Sequence, residues 1–310
     1  MAMKKKTCTV IAVLCSDIHL CHTCPPARSN ESNWYDAMAR VLHELGEIAR
    51  HYNVPIFCAG DVFDRWNSPP ELINFAFKHM HMMYSIPGQH DLPNHSLEDI
   101  QRSAYWSLVD AGVIVNLIGS TPHVVEGAIV HAFPWGVPID VPSDGEGDMI
   151  NVALSHRYAW KKGKGYPGAS MDAMIGNIPN LDNYDVAVFG DNHQSFDCRK
   201  SPTSKCTVVN PGCLIPRKSD ERKYHPSVYL LRDDKTVQAF ELGTLEDKWI
   251  DEAECEDAPS LSGMESFLEE LRSLDADSLD FSEAVNRYCE DRGVPERTRV
   301  MIRESMGAES

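Results

Sequence analysis

Long apolar runs are missing from this chain of 310 residues. The longest, Thr7 to Ser16, is too short to cross a bilayer, which takes about 20 residues, so no membrane association is expected. Internal repeats and low-complexity segments are absent as well, which argues against a solenoid or a disordered linker protein. A second Cys-x-x-Cys is missing, so the pair Cys21 and Cys24 has only Cys198 and Cys206 as partners for a structural zinc, and ordinary loop thiols are the expected reading. The chain also lacks a cationic excess: its formal charge is -17.

The apolar run itself has two readings. From Met3 onward, a basic stretch followed by apolar residues mimics a secretory signal. The run leads straight into Asp17 and His19, however, where cleavage would destroy chemistry. We read it as a buried first strand of a cytoplasmic protein. The ten cysteines are scattered, and Cys8, Cys15 and Cys58 sit inside strand-like runs. Reduced, mostly buried thiols are therefore expected rather than a disulfide framework.

The acidity is unevenly spread. Residues 233–291 hold 19 acidic and 4 basic side chains, whereas residues 1–232 hold 24 and 21, and residues 292–310 hold 3 and 4. Several carboxylates of the first region look like metal ligands, whose charge a bound cation would cancel. The net charge does not exclude a nucleic-acid partner.

Hydrophobic patterning predicts strands at Thr7–Ser16, Val54–Ala59, up to Ile86, Val113–Ile118, Val152–Ser155, Val186–Phe189 and Thr207–Val209. Hairpins are expected over Glu126-Gly127 and over Asp233-Asp234. Helices are expected at Asn33–Tyr52, at Pro69–His79 with Pro69 in its first position, and at Leu97–Ala111. Strands alternate with helices early and dominate later, which suggests two packed sheets with helices outside. After Pro259, three short helices are expected: Ser262–Ser273, Ser282–Asp291 and Pro295–Met306.

Five short motifs each follow an apolar strand. They are Asp17-Ile18-His19, Gly60-Asp61-Val62-Phe63-Asp64, Gly88-Gln89-His90-Asp91, Ser155-His156 and Gly190-Asp191-Asn192-His193. Ligand-type side chains spaced i, i+2 point to one side of an extended chain. Strand C-termini converge on the crevice where α/β sheets bind substrates. Asp, His and amide oxygen suit divalent ions such as Mn²⁺, Fe²⁺ or Zn²⁺. Each motif alone is weak, but five in this order are hard to explain by accident.

In this order and spacing the motifs resemble those of the calcineurin-like metallophosphoesterases, over about residues 8–245. Asn210-Pro211-Gly212 with Arg217 and Glu221, together with the forms PGQHDLP and GDNHQ, is similar to the SbcD-like, phage-type branch of DNA-repair nuclease subunits. The resemblance implies a four-layer α/β/β/α sandwich over residues 7–245; the patterning after Pro259 adds a small acidic helical module over residues 260–310. It implies a two-metal phosphodiester hydrolase, a DNA exo- or endonuclease, with Mn²⁺ the first choice and Fe²⁺, Zn²⁺ or Mg²⁺ as alternatives. A small-molecule phosphodiesterase or phosphatase and a weakly active scaffold are the competing readings. DNA is the implied partner; an SbcC-like coiled-coil ATPase and a second copy of the chain are further ones.

By the same resemblance, Asp17, His19, Asp61 and His193 would hold one ion, and Asp61, Gln89, His156 and Asp191 the other. Asp61 would bridge them, about 3.5–4 Å apart. His90 would be the general acid, Asp64 its orienting partner, and Asp91 a supporting residue. Two positions depart from the family pattern: Gln89 stands where Asn is usual, and Asp191 where His is usual. The extra carboxylate should favour Mn²⁺ over softer ions.

Weaker signals carry two readings each. Arg65-Trp66-Asn67 and Arg157-Tyr158 suit a phosphodiester rim or an ordinary packed loop. Lys161, Lys162 and Lys164, then Arg199, Lys200, Lys205, Arg217, Lys218, Arg222 and Lys223, suit backbone phosphates or plain solvation. The remaining histidines are read as structural.

Overall fold

The computed structural model describes residues 8–119, 122–125, 127–142 and 149–250. The three helices expected after Pro259 lie outside these residues. Among the described residues, twelve strands form two six-stranded sheets. Strands β1 (Val10–Cys15), β2 (Ile56–Cys58), β3 (Met83–Ser85) and β4 (Ile114–Asn116) belong to the first, with β11 (Ser227–Arg232) and β12 (Val237–Glu241). Its order is β12-β11-β1-β2-β3-β4. The second contains β5 (His123–Val125), β6 (Ala128–Phe133), β7 (Ile150–Ser155), β8 (Val186–Phe189), β9 (Phe196–Arg199) and β10 (Thr207–Asn210). Its order is β5-β6-β7-β8-β10-β9.

Both expected hairpins are present as antiparallel pairs, β5 with β6 and β11 with β12. β1, β2 and β3 run parallel, as do β7 and β8. Their C-terminal ends therefore open on one edge of each sheet.

Alternation along β1 separates two cores. Ala12 and Leu14 face the second sheet and pack with Phe57, Val152, Val188 and Val209. Val13 and Cys15 face the other way, onto helices. That outer layer holds α1 (Trp34–Tyr52), α2 (Pro70–His79) and α3 (Ala104–Asp110). Fully burying a side chain such as Leu14 or Phe57 contributes about 1.5–3 kcal/mol. The opposite face of the second sheet is covered by Ile175, Ile178, Leu181 and Tyr184. Among the described residues this fourth layer consists of 3₁₀ turns (Met171–Ala173, Ile175–Asn177, Leu181–Asn183).

Three local readings change. Pro69 is the extended cap of α2 and Pro70 takes the first helical position, because a residue preceding proline is pushed out of the helical region. The helix expected over Leu97–Ala111 is broken at Ser103, whose hydroxyl caps α3 by accepting from Trp106 N at 3.1 Å. β9 was not anticipated: it is a short edge strand whose one deeply buried side chain is Phe196. The described cysteines are all free thiols. Among the described residues no helix is long and apolar enough to cross a membrane.

Candidate metal centre

The five motifs meet at the C-terminal ends of β1, β2, β3, β7 and β8. The first two are joined by main-chain bonds that continue the β1–β2 ladder: Asp17 N to Gly60 O, His19 N to Asp61 O and Leu20 N to Val62 O, each 2.9 Å. The backbone here is not extended. Asp17, His19, Asp61 and Asp191 all adopt left-handed conformations, with φ of 49°, 50°, 53° and 76°. Non-glycine residues enter that region at a cost, and such residues cluster at functional sites. Kinks, rather than strand alternation, aim these side chains inward.

The motif glycines serve two purposes. Gly60 has φ +98° and needs its freedom. Gly190 is required for space, since a Cβ there would lie 2.5 Å from Ala59 O and 2.6 Å from His156 Nδ1. Gly88, with an ordinary φ of -93°, is in the same position, because a Cβ would run into the Asp61 carboxylate and the His156 ring.

Asp17, His19, Asp61 and His156 are essentially inaccessible to solvent. His19 Nε2 lies 3.1 Å from His193 Nε2, 3.6 Å from Asp61 Oδ2 and 3.9 Å from Asp17 Oδ1. Asp61 Oδ2 is also 3.4 Å from His156 Nε2. Two of the ion-sized groupings share Asp17: one with His19 and His193, the other with Asp61 and His156. Gln89 Nε2 donates to Asp191 Oδ1 at 2.8 Å, so the two residues that depart from the family pattern touch each other. Asp191 N donates to Asp17 at 3.0 Å.

The imidazoles are oriented from behind. His156 Nδ1 donates to Ala59 O at 2.5 Å and His193 Nδ1 to Glu221 Oε1 at 3.3 Å. Both bonds fix the tautomer that leaves Nε2 facing the centre. Glu221 was known from the sequence only as part of a segment; its spacing of four residues after Arg217 was the available signal. Asp91 accepts from Phe63 N (2.9 Å), Gly88 N (3.0 Å) and Val62 N (3.2 Å), tying the second motif to the third.

His90 is exposed at the mouth, and its main-chain N–H donates to Asp61 Oδ1 at 2.9 Å. Its expected contact with Asp64 is made differently. His90 Nδ1 donates to the Asp64 main-chain oxygen at 2.8 Å, while the Asp64 carboxylate accepts from Arg217 Nη1 at 2.5 Å. The guanidinium offers that carboxylate a charged partner, which a neutral imidazole cannot match.

The model of the family described as Calcineurin-like phosphoesterase matches residues 12–195, more than half of the chain and all five motifs. The chain belongs to this family. Calcineurin-like phosphoesterases hydrolyse phosphate esters with divalent metal ions. Among solved structures, a metallophosphoesterase from Sphaerobacter thermophilus is similar at 15% identity, covering 76% of this chain and 88% of that one, with a TM-score of 0.37. A dimetal phosphatase from Danio rerio is similar at 11% identity, covering 74% and 96%, with a TM-score of 0.46. No curated protein matches the chain.

The residues of this calcineurin-like phosphoesterase fit a cation. Asp61 Oδ2, Gln89 Oε1 and His156 Nε2 are buried, and beyond the long 3.4 Å approach between Asp61 Oδ2 and His156 Nε2 none has a hydrogen-bond partner, a costly state that a bound ion would relieve. Two imidazole nitrogens, on His19 and His193, converge where the second nitrogen of His193 already carries its proton. Burial pushes Asp17 up to about 6 and pulls His19 well down, keeping its ring neutral. Burial opposes charge on His156 too, but Asp61, Asp17 and Asp191 override it and raise the ring to about 10. An imidazolium there balances the carboxylates in the place of a cation.

Most of the loop cations flagged in the sequence are engaged within the protein. Lys161 donates to Asp197 O, Arg157 to Asp172 O, Arg199 to Lys205 O and Arg222 to Ile250 O, and Lys200 pairs with Asp182. Cys21 and Cys24 enter none of the ion-sized groupings found among the described residues. Arg65, Arg217 and Lys218 differ: they line a cavity of about 810 Å³ whose wall also includes His19, His90 and His193.

Proposed function

We propose that this calcineurin-like phosphoesterase is a phosphodiester hydrolase acting on DNA, of the SbcD-like type, with Mn²⁺ as its preferred ion. The reading is carried by one observation: buried carboxylates and imidazoles with unpaired atoms adjoin an exposed imidazole, His90, at the mouth of a cavity.

In this proposal Asp17, His19, Asp61 and His193 hold one ion, and Asp61, Gln89, His156 and Asp191 hold the other. Two divalent ions, when bound, neutralise the phosphate and supply a nucleophile from water at neutral pH. Glu221 and Ala59 keep Nε2 of His193 and His156 pointed inward. His90, with Nδ1–H fixed on Asp64 O, presents Nε2–H to the departing oxygen. A positioned acid of this kind contributes about 10²–10⁴ in rate. By resemblance, an SbcC-type coiled-coil ATPase is the proposed partner.

A smaller substrate is the second reading, favoured by the cavity's volume of about 810 Å³, which lies within the range of about 300–1,000 Å³ typical of single-ligand pockets. An activity panel with Mn²⁺ separates the two, comparing bis-p-nitrophenyl phosphate, p-nitrophenyl phosphate, cyclic nucleotides, and single- and double-stranded DNA with and without the ATPase. Cleavage of DNA and of the aryl diester is expected. Turnover of cyclic nucleotides or monoesters without DNA cleavage would establish the second reading, and ion binding without any hydrolysis would leave a scaffold.

A further inference from the structure

The cavity beside His90 has a chemical character of its own. His19, His90 and His193 form one part of its lining, the segment from Leu20 to Ala27 another, and residues 64–69 and 217–219 the rest. His90 has only Nε2 left to offer, because Nδ1 is bonded to Asp64 O. An acid must face the oxygen it protonates, so the leaving group enters the space that His90 lines.

That space is cationic in a chain of formal charge -17. Arg65, Arg217 and Lys218 border it, and its single carboxylate, Asp64, already accepts from Arg217. Arg65 and Lys218 are exposed and form no ion pair among the described residues. Several long cations elsewhere are paired: Lys235 and Lys205 on Asp185, and Arg28 and Arg40 on Glu31 and Asp247. The cavity has no Phe, Tyr or Trp in its lining; Leu20, Pro25, Pro26, Ala27 and Pro69 supply its apolar part. Such walls favour charge and sugar; for a stacked base they offer imidazoles and no larger aromatic platform.

We propose that this cavity is a leaving-group subsite selecting diesters whose departing alcohol itself bears a phosphate, gripped by Arg65 and Lys218. The proposal rests on the diesterase reading. In the reaction, water adds to phosphorus and the bond from phosphorus to the leaving oxygen breaks. The electron pair stays on that oxygen, His90 Nε2–H protonates it, and the products are a phosphomonoester and a phosphorylated alcohol.

The test has two parts. In turnover with Mn²⁺, the dinucleotide TpT is compared with pTpT and TpTp, one of which carries its extra phosphate on the leaving side. That one is expected to exceed TpT in kcat/KM by about tenfold. The ratio should fall to near one in the R65A/K218A variant and be retained in R65K/K218R. Equal rates for all three dinucleotides, or a preference that survives R65A/K218A, would overturn the subsite.

In calorimetry on the metal-free protein, thymidine 3′,5′-bisphosphate should bind more tightly than thymidine monophosphate, and R65A/K218A should abolish the difference. If the two nucleotides bind alike, the subsite is overturned whatever the activity. If bis-p-nitrophenyl phosphate is not hydrolysed while the binding difference stands, the diesterase reading fails and the subsite survives. A further rate gain from the favoured dinucleotide to decathymidylate identifies a polynucleotide strand as the source of the phosphate; no gain identifies a small nucleotide.

Discussion

Glu221 holds His193 from behind: one carboxylate oxygen accepts from Nδ1 at 3.3 Å, while the other accepts from the main-chain N–H groups of Arg217 and Lys218 at 2.7 and 3.0 Å. These donors bring Glu221 down to about 2 although burial pushes the other way, so the group is a carboxylate at any working pH. An amide in its place must turn either its NH₂ or its oxygen toward donors on both sides. Glu221→Gln is therefore expected to weaken Mn²⁺ binding by about 10–100-fold, the usual cost of losing such a supporting partner. Titration calorimetry checks this, and unchanged affinity would remove Glu221 from that role.

Metal uptake should release protons. His156 is raised to about 10 and Asp17 to about 6 in the metal-free centre, and an ion binds only their deprotonated forms. At pH 7, Asp17 has already lost its proton and His156 has not. Affinity should therefore rise with pH up to about 10 through His156, and more steeply below about 6, where Asp17 must deprotonate as well. Calorimetry at pH 7 in buffers of different ionisation enthalpy should show at least one proton released, through His156 with a further share from His193, where burial opposes charge but Glu221 and Asp17 raise the ring. A heat independent of the buffer would contradict the pairing of His156 with Asp61.

His90 and Asp64 should separate on mutation. His90→Ala is expected to lower turnover by about 10²–10⁴ with metal content intact. Asp64→Ala keeps the main-chain oxygen that orients His90, so its loss should be far smaller on a logarithmic scale. Steady-state kinetics beside metal analysis decides. Equal losses would show that the carboxylate, and with it Arg217, orients the acid.

Gln89 and Asp191 should behave as a pair, since the Gln89 amide donates to the Asp191 carboxylate at 2.8 Å. Gln89→Asn shortens the reach, and Asp191→His removes the acceptor. Residues sharing one hydrogen bond show coupling of about 0.5–3 kcal/mol in double-mutant cycles. Metal affinities of the two single variants and the double variant should therefore be non-additive, the double losing less than the sum. Strict additivity would mean that the two substitutions in the family pattern are independent.

Much of this centre could be read before any coordinates, because ligand-type residues following apolar strands have few other uses. Asp17, His19, Asp61, His156 and His193 do converge. What stayed hidden was backbone conformation. The left-handed turns at Asp17, His19, Asp61 and Asp191 depend on main-chain bonds between loops distant in sequence, which periodicity does not register. For the same reason sequence spacing does not show that the neighbours of Gly88 and Gly190 leave no room for a side chain. The family resemblance assigned Asp64 to His90, whereas Arg217 competes for its carboxylate from 153 residues away. Helix limits shifted where local capping overrode hydrophobic spacing, at Pro69 and Ser103. β9 escaped because an edge strand needs only one buried side chain in four.

The proposal that Asp61 is shared by two ions is tested most directly by electron paramagnetic resonance during Mn²⁺ titration of the full chain. Two ions per chain at about 3.5–4 Å should give an exchange-coupled spectrum at saturation, and Asp61→Ala should abolish the coupling. A spectrum of isolated Mn²⁺ at saturation, or coupling that persists without Asp61, would contradict a carboxylate-bridged pair.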